Sequence, residues 1–565
     1  MSILTRQPLV SIADLMARAK ERQEAKILQL PVAAKIEYEI PQNEPPKVEL
    51  ALHAEESSAW QYTSAQEEFI SRAVAGETLV LFGAAGTGKT TSLKGVVKEL
   101  VYLDKLPLLL DPKHRHLVPG QPGILVVSFM NRAVANDKKV LAEFGLQLNC
   151  LTLHKLLEYQ PDMTQVYDEE LGRMVTRRTF VPKRVVNYKL DSAIKIIVID
   201  EAGNTPLELY QQLIEALPDP SAVQFIFMGD LYQIPPVFGA AILGHKGAEL
   251  KNARVVLTEV KRQDKDSPIL ALATHIRKGD TIPAKDFAAW SVNGLEIRPW
   301  KRQVSEIEAM GTMRKYIESV YDSGQYDPYN DAVIMLQNIK FGGDELNKHI
   351  AQMLAIRHER KVFEVIAGFT KAYFAVGDAV VYNKEDCIIK SIQPNPKYDG
   401  IMPQIPSLTL DYWGHESRAQ EKHLDINEYT EAVLNMRDTE WEEERKLKAS
   451  HIVELSSRLD PEKSGFLDTA SMLNNLSLGY VCTVHKALGA EWKRVYLLIH
   501  GSNKNMLCRE ILYTAITRAQ SYLTIICESD TLVRGVKTQK IPGESVDEKL
   551  EYFQDRPFQI RKFNS

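Results

Sequence analysis

The sequence predicts an α/β fold with parallel sheets in two halves, on three observations. An apolar run, Leu79-Val80-Leu81-Phe82, breaks into a glycine-rich turn, and Leu93, Val96, Val97, Leu100 and Val101 then follow at helical spacing. Further continuous apolar runs at 124–129, 196–199 and 225–228 alternate with helical stretches, the pattern of strands buried on both faces of a parallel sheet. The same rhythm resumes at 255–257 and 332–336, stops for a long interruption, and returns at 480–484, 495–499 and 522–526. A second sheet carrying an inserted domain explains this.

Composition sets the bounds. A chain of 565 residues has room for about three or four domains. Its 44% hydrophobic and 25% charged residues are those of an ordinary globular protein. The net charge of −5 excludes a uniformly basic coat, so any nucleic-acid surface must be a local groove of Lys, Arg and aromatic side chains. Five cysteines (Cys150, Cys387, Cys482, Cys508, Cys527) are scattered without a CxxC pair or a histidine cluster. They read as structural thiols in a reducing compartment. With neither a basic-then-apolar leader nor a run of about 18 apolar residues, the expectation is a cytoplasmic protein with no membrane partner.

In chain order, residues 11–30 read as a solvated helix, with Ser11 and Asp14 at capping-box spacing. The prolines at Pro41, Pro45 and Pro46 mark a linker. A covering or tethering role suits this arm better than a docking role, given the mobility of chain ends. After the linker, a Ser or Thr cap begins a helix that carries Gln66 toward the glycine-rich turn, and its amide offers the donor and acceptor that match an adenine edge. The turn itself, Gly83-Ala84-Ala85-Gly86-Thr87-Gly88-Lys89-Thr90-Thr91, has the spacing of a phosphate-binding loop. Its backbone N–H groups would curl around phosphate oxygens at a helix N-terminus. Lys89 would reach the β- and γ-phosphates, and Thr90 would offer its hydroxyl to Mg²⁺. Each later strand ends in polar residues at the carboxyl edge, where ligands of parallel sheets collect: Asn131, then Asp200-Glu201, then Asp230 and Gln233. An Asp there can hold Mg²⁺ and the adjacent Glu can polarise the attacking water. ATP and Mg²⁺ are therefore the expected cofactors.

Taken together these residues resemble the superfamily 1B helicases, most closely the RecD-like and Dda-like branch, through an ordered set of motifs. Residues 83–90 match motif I, Asp200-Glu201-Ala202-Gly203 matches motif II, and residues 229–237 match the GDxxQLPPV form of motif III. Arg262-Gln263 looks like motif IV, residues 479–492 look like motif V and residues 513–519 look like motif VI. The resemblance implies two RecA-like P-loop domains. Lys89, Asp200, Glu201, Gln233, Arg262 and Arg518 would form the catalytic set, with the two arginines supplied across the cleft by the second domain. It also implies DNA contacts at Phe129, Met130, Asn131, Thr152 and His154 in the first domain and at Thr483 and His485 in the second. Hydroxyls and helix N-termini bind phosphates, and aromatic rings stack on bases.

The same resemblance makes 167–180 a strand-separating β-hairpin and 374–383 a strand pair of an SH3-like small barrel. A charged stretch from about Arg418 to Asp460 reads as one or two exposed helices. The expected boundaries are an arm at 1–50, a first RecA-like domain at 51–250 with the hairpin insertion at 158–194, and a second at 251–340 and 475–535. The barrel and helical insertion occupies 341–474 and a tail 536–565. Two positions depart from the family pattern, Leu488 in place of a polar glutamine and Gly203 in place of serine. The implied function is an ATP-driven helicase moving 5′ to 3′ on single-stranded DNA and opening forked duplexes. The implied setting is phage or bacterial, hence a host cytoplasm if phage-encoded. Single-strand-binding or replisome proteins are candidate partners for the arm or the insertion. An RNA helicase or remodeller, or a nucleotide-gated recruitment module, are the alternatives.

Overall fold

A computed structural model describes residues 62–554, apart from 103–105, 110–112, 144, 146–147, 169–172, 187, 260–266, 301, 337–341, 368–369, 384, 399–446, 459–463 and 504–505. The expected N-terminal helix and linker, Arg262, and most of the charged stretch lie outside the described residues.

The first half runs α1 (Ser64–Val74), β1 (Leu79–Gly83), α2 (Lys89–Tyr102), β2 (Ile124–Ser128), α3 (Asn131–Ala142), β3 (Asn149–Thr152), β4 (Tyr159–Asp168), β5 (Arg173–Pro182), β6 (Ile196–Asp200), β7 (Gln224–Gly229), α4 (Ile242–Glu249) and β8 (Arg254–Leu257). Six of these strands form a sheet in the order β3-β2-β6-β7-β1-β8, every pairing parallel. Every residue of β1, β2 and β6 is buried, which is why their sequences are continuously apolar rather than alternating. The carboxyl ends of β1, β6 and β7 therefore share one edge. Residues 255–257, expected to open the second half, instead pair with β1 (Leu81↔Val255, Gly83↔Leu257). The boundary at 250 cuts through the first sheet, because a four-residue apolar run carries no mark of which sheet it will join. Between β3 and β6, β4 and β5 form an antiparallel pair from Tyr159↔Pro182 to Asp168↔Arg173.

The second half runs β9 (Leu295–Trp300), β10 (Ala332–Met335), β11 (Val362–Ala367), β12 (Thr370–Ala375), β13 (Ala379–Tyr382), β14 (Glu385–Pro394), β15 (Lys448–Ser457), β16 (Ser464–Thr469), β17 (Leu476–Leu478), β18 (Val481–Thr483), β19 (Trp492–Ile499), α5 (Arg509–Ile516), β20 (Ala519–Glu528) and α6 (Val546–Gln554). A second parallel sheet has the order β18-β10-β19-β20-β9. The interruption between β10 and β18 forms a five-stranded sheet, β16-β15-β14-β13-β17, antiparallel throughout, with the β11-β12 pair beside it. Val365, Phe374, Val380, Ile389, Val453 and Leu455 share its core.

Two expectations for the insertion are corrected. Residues 374–383 supply two strand segments that do not pair with each other: β12 pairs with β11, and β13 lies between β14 and β17. The helical reading of the charged stretch fails at 448–457, which is β15, with Ala449, Val453 and Leu455 buried at even spacing. The expected tail is also more than an appendage. Leu550 and Phe553 of α6 are buried in the first domain's core against α4.

Candidate functional site

The phosphate loop is closed by its own backbone. Gly86 and Gly88 take φ of 79° and 84°, left-handed conformations that glycine adopts without strain. Thr87 Oγ1 donates to Ala84 O at 2.9 Å. Lys89 Nζ rests on Gly83 O and Ala84 O at 2.9 and 3.3 Å, so the ammonium is parked at the mouth of the loop on neutral carbonyls. Ala85, Gly86, Gly88, Lys89, Thr90 and Thr91 line a cleft of about 260 Å³, whereas Gly83, Ala84 and Thr87 of the same loop do not line it.

Gln66 is fully buried against this loop. Its Nε2 donates to Thr87 O and Gly88 O at 3.5 and 3.3 Å, and its Oε1 accepts from Thr63 N at 3.0 Å in the capping box that starts α1. A Cβ on Gly88 would stand 2.6 Å from that Nε2. The amide expected to face adenine is thus engaged with the loop's backbone.

Asp200 and Glu201 close the cleft from the end of β6. Glu201 has φ of 52°, a left-handed conformation that is strained for a side chain of its size and that turns the chain abruptly at the strand end. Asp200 is buried and Glu201 half-buried. Burial raises the Glu201 carboxyl above the ordinary range and the charge of Asp200 adds to this, while Lys89 and Arg518 oppose it. Glu201 Oε2 and Gln233 Oε1 find no hydrogen-bond partner among the described residues. Gly203, where the family pattern has serine, packs against motif III: a Cβ there would stand 2.9 Å from Asp230 O.

The opposite wall comes from the second domain, as Gly489, Glu491 and Arg518. Arg518 is buried, its Nε donating to Thr514 O at 3.0 Å and its Nη1 to Ala490 O at 3.2 Å. Motifs III and VI touch beside it, through Tyr513 Oη donating to Asp230 Oδ2 at 2.8 Å and Ile234 N donating to Thr514 Oγ1 at 2.9 Å. The other expected arginine, Arg262, is outside the described residues. Leu488 is buried in the second domain's core, which suits an apolar side chain. Gly489 beside it takes φ of 73°, and a Cβ there would stand 2.7 Å from Ala133 N, so only glycine lets α3 approach.

Phe129 and His154 come together, with ring centroids 5.5 Å apart, and His154 meets Tyr159 at 4.9 Å. Asn131 is the first residue of α3, and Met130 packs against the second domain's core. Thr152 is buried and caps the turn that holds His154, accepting from Lys155 N at 3.3 Å. Thr483 ends β18 and accepts from Lys486 N at 3.4 Å. Burial holds the His485 imidazole below its ordinary value, with Lys540 adding to this. Arg132 of α3 reaches across to the second half of the chain. It pairs with Asp386 through Nε at 3.0 Å and Nη2 at 2.6 Å, donates to Lys486 O, and lies 5.5 Å from the Trp492 ring centroid.

Sequence reading missed the wall formed by α3, where Ala133, Asn136 and Val140 line the cleft and Asp137 lies behind them. Asp137 is fully buried beside Asp200 and Glu201, and desolvation together with their charges raises its carboxyl well above the ordinary range. Both Asp137 carboxylate oxygens and Asp200 Oδ1 find no hydrogen-bond partner among the described residues. The sequence signal was available: Asp137 shares the buried face of α3 with Ala133, Val134 and Leu141.

A sequence family described as an AAA domain matches residues 66–239, and the UvrD-like helicase C-terminal domain matches residues 478–526. The chain is 26% identical over 343 residues to an ATP-dependent RecD2 DNA helicase of Deinococcus radiodurans, covering 59% of this chain and 36% of that protein. It is 20% identical over 477 residues to the RecBCD enzyme subunit RecD of Buchnera aphidicola, covering 81% and 71%. The chain thus spans about a third of the length of the first of these relatives. Among solved structures, Pif1 helicase from Candida albicans aligns over 83% of this chain and 95% of that one, at 15% identity and a TM-score of 0.42. The two matched families fall in chain order on the two parallel sheets, and in sequence the chain is similar to helicases of the RecD kind.

Proposed function

We propose that the protein is an ATP-dependent DNA helicase that moves along single-stranded DNA and opens forked duplexes, 5′ to 3′ as its branch implies. The observation that carries this reading is that Arg518, from the second domain, lines the same cleft as Lys89, Asp200 and Glu201. A nucleotide seated there touches both domains, so its binding and loss change how they meet.

The residues fit ATP with Mg²⁺. Mg²⁺ is commonly held by one or two protein oxygens plus phosphates and waters rather than by an all-protein cage. That agrees with the absence, among the described residues, of any cluster of three or more metal-ligating side chains. Thr90 and Asp200 would hold the ion, which neutralises charge building on the β- and γ-phosphates. Lys89 exchanges its loop carbonyls for phosphate oxygens. Glu201, whose Oε2 lacks a partner, accepts the proton of the attacking water, and Gln233 positions that water through its own free Oε1. Arg518, and Arg262 if it reaches the cleft, stabilise the transition state. Loss of phosphate loosens the Arg518 wall, and the movement reaches the strip at Phe129, Asn131, Thr152 and His154 through α3. The matching strip at Thr483 and His485 moves with the second domain.

In this reading the β4-β5 pair is the strand-separating pin and the five-stranded antiparallel insertion is the SH3-like element flanking the DNA. ATP hydrolysis should rise on adding single-stranded DNA and fall by about 10²–10³ in Lys89→Ala. Stimulation by RNA alone would move the assignment to an RNA helicase, and no stimulation by either polymer would leave a nucleotide-gated binding module.

A further inference from the structure

The C-terminal segment makes contacts that neither the cleft nor the nucleic-acid strip requires, and it lies beyond residue 526, outside both matched families. It leaves the second domain after β20, and Glu510 of α5 accepts from the backbone N–H groups of Lys540 (3.0 and 3.1 Å) and Ile541 (3.0 Å). Arg509, also on α5, donates from Nη1 to both Glu544 oxygens at 2.8 and 2.9 Å. The chain then turns at Gly543, with φ of 117°, and α6 lies on the first domain. Phe553 fills the space beside Gly244, where a Cβ would stand 2.3 Å from its Cζ, and Leu550 does the same beside Gly247 at 2.8 Å. Arg254 of β8 pairs with Asp547 at 3.1 Å.

Where the segment passes between the domains it meets motif III. Tyr232 Oη donates to Glu544 O at 2.8 Å. Lys549, almost fully buried, lies 5.1 Å from the Tyr232 ring centroid and donates to Ile541 O at 2.7 Å, while Arg277 of the second half covers the ring at 4.6 Å. Tyr232 stands between Asp230, which binds Tyr513 of motif VI, and Gln233, which lines the cleft. Glu544 is thus held at once by α5 of the second domain and by motif III of the first.

We propose that residues 539–554 form a strap across the two domains that favours the closed cleft, with Glu544 as its clasp between Arg509 and Tyr232. This rests on the reading of the cleft as a nucleotide site that opens and closes. An opening that separates α5 from motif III must break the Tyr232–Glu544 or the Arg509–Glu544 contact. The strap therefore slows release of bound nucleotide, and Tyr232, Glu544 and Lys549 act as positioning residues for motif III.

The test is the dissociation rate of a fluorescent ADP analogue, by stopped flow, from the full chain and from Tyr232→Phe, Asp547→Lys and Phe553→Ala. Each variant is paired with its thermal midpoint. Losing one buried hydrogen bond shifts an equilibrium by about two- to ten-fold. Tyr232→Phe is accordingly expected to speed release by about that factor with little change in midpoint. Asp547→Lys, which repels Arg254 at the surface, is expected to speed it in the same direction. Should Phe553→Ala fail to fold, the other two variants decide. Unchanged release in folded variants overturns the strap, even where midpoints fall, since that is what passive packing gives. Failure of the wild-type chain to bind the analogue removes the cleft reading and the strap with it.

Discussion

Lys89 holds an ammonium against two loop carbonyls in a cleft whose acids lie nearby, and that placement makes it the most exacting residue of the site. Lys89→Ala should lower the ATP hydrolysis rate by about 10²–10³, as expected when one preorganised charge donor is removed, with the fold intact by circular dichroism. If Arg518 acts on the transition state as proposed, Arg518→Ala should cost about 10³–10⁵ in rate while nucleotide affinity changes only a few-fold. Arg518→Lys should not restore it, since a lysine cannot keep Thr514 O and Ala490 O while reaching the cleft. That Lys89, Thr90, Asp200 and Gln233 would line one cleft was legible in the sequence, because each lies in a locally spaced motif at the end of a strand. The engagement of Gln66 with the loop, the left-handed turn at Glu201 and the burial of Asp137 were not. Each depends on how separate segments meet, and spacing within a segment carries no record of that.

Two elements carry predictions of their own. At the base of the β4-β5 pair, Glu158 accepts from Arg184 Nε and from Arg115 N, both at 2.8 Å. Neutral His114 fits beside it, with Nε2 donating to Leu156 O at 2.8 Å and Nδ1 accepting from His116 N at 3.1 Å. Burial holds the His114 imidazole below its ordinary value of 6.5. The sign follows from linkage: the folded form binds this proton less readily than the unfolded form, so stability is full above about pH 6.5 and falls as pH drops below it. Glu158, whose carboxyl is held below its ordinary value by Arg115 N and Arg184 against the cost of burial, adds a loss at still lower pH. Backbone hydrogen exchange across 159–182, corrected for intrinsic rate, should therefore be faster at pH 5.5 than at pH 7.5. The second element is α3, whose Arg132 pairs with Asp386 of β14. Arg132→Asp and Asp386→Arg should each reduce DNA-stimulated ATP hydrolysis, and the double swap should recover part of it, a coupling that a double-mutant cycle measures. The β4-β5 pair was legible from two strand-like runs about a turn. The partners chosen among the seven strands β11, β12, β13, β14, β15, β16 and β17 were not, because antiparallel partners are selected by the packing of a shared core.

At the scale of the whole molecule, two parallel sheets place one cleft between them. The order of motifs predicted both sheets, and apolar runs located most strands. The sheet to which 255–257 belongs and the return of α6 to the first domain were invisible, since both are decisions of tertiary packing rather than of local pattern. In the proposed function, closure of this cleft on ATP drives movement along a DNA strand. The most direct measurement is strand displacement on forked DNA bearing a single 5′ or 3′ tail, with and without ATP, for the wild-type chain and Lys89→Ala. The proposed function predicts ATP-dependent displacement of the 5′-tailed substrate that disappears in Lys89→Ala. Displacement that survives Lys89→Ala, or that needs no ATP, would contradict it.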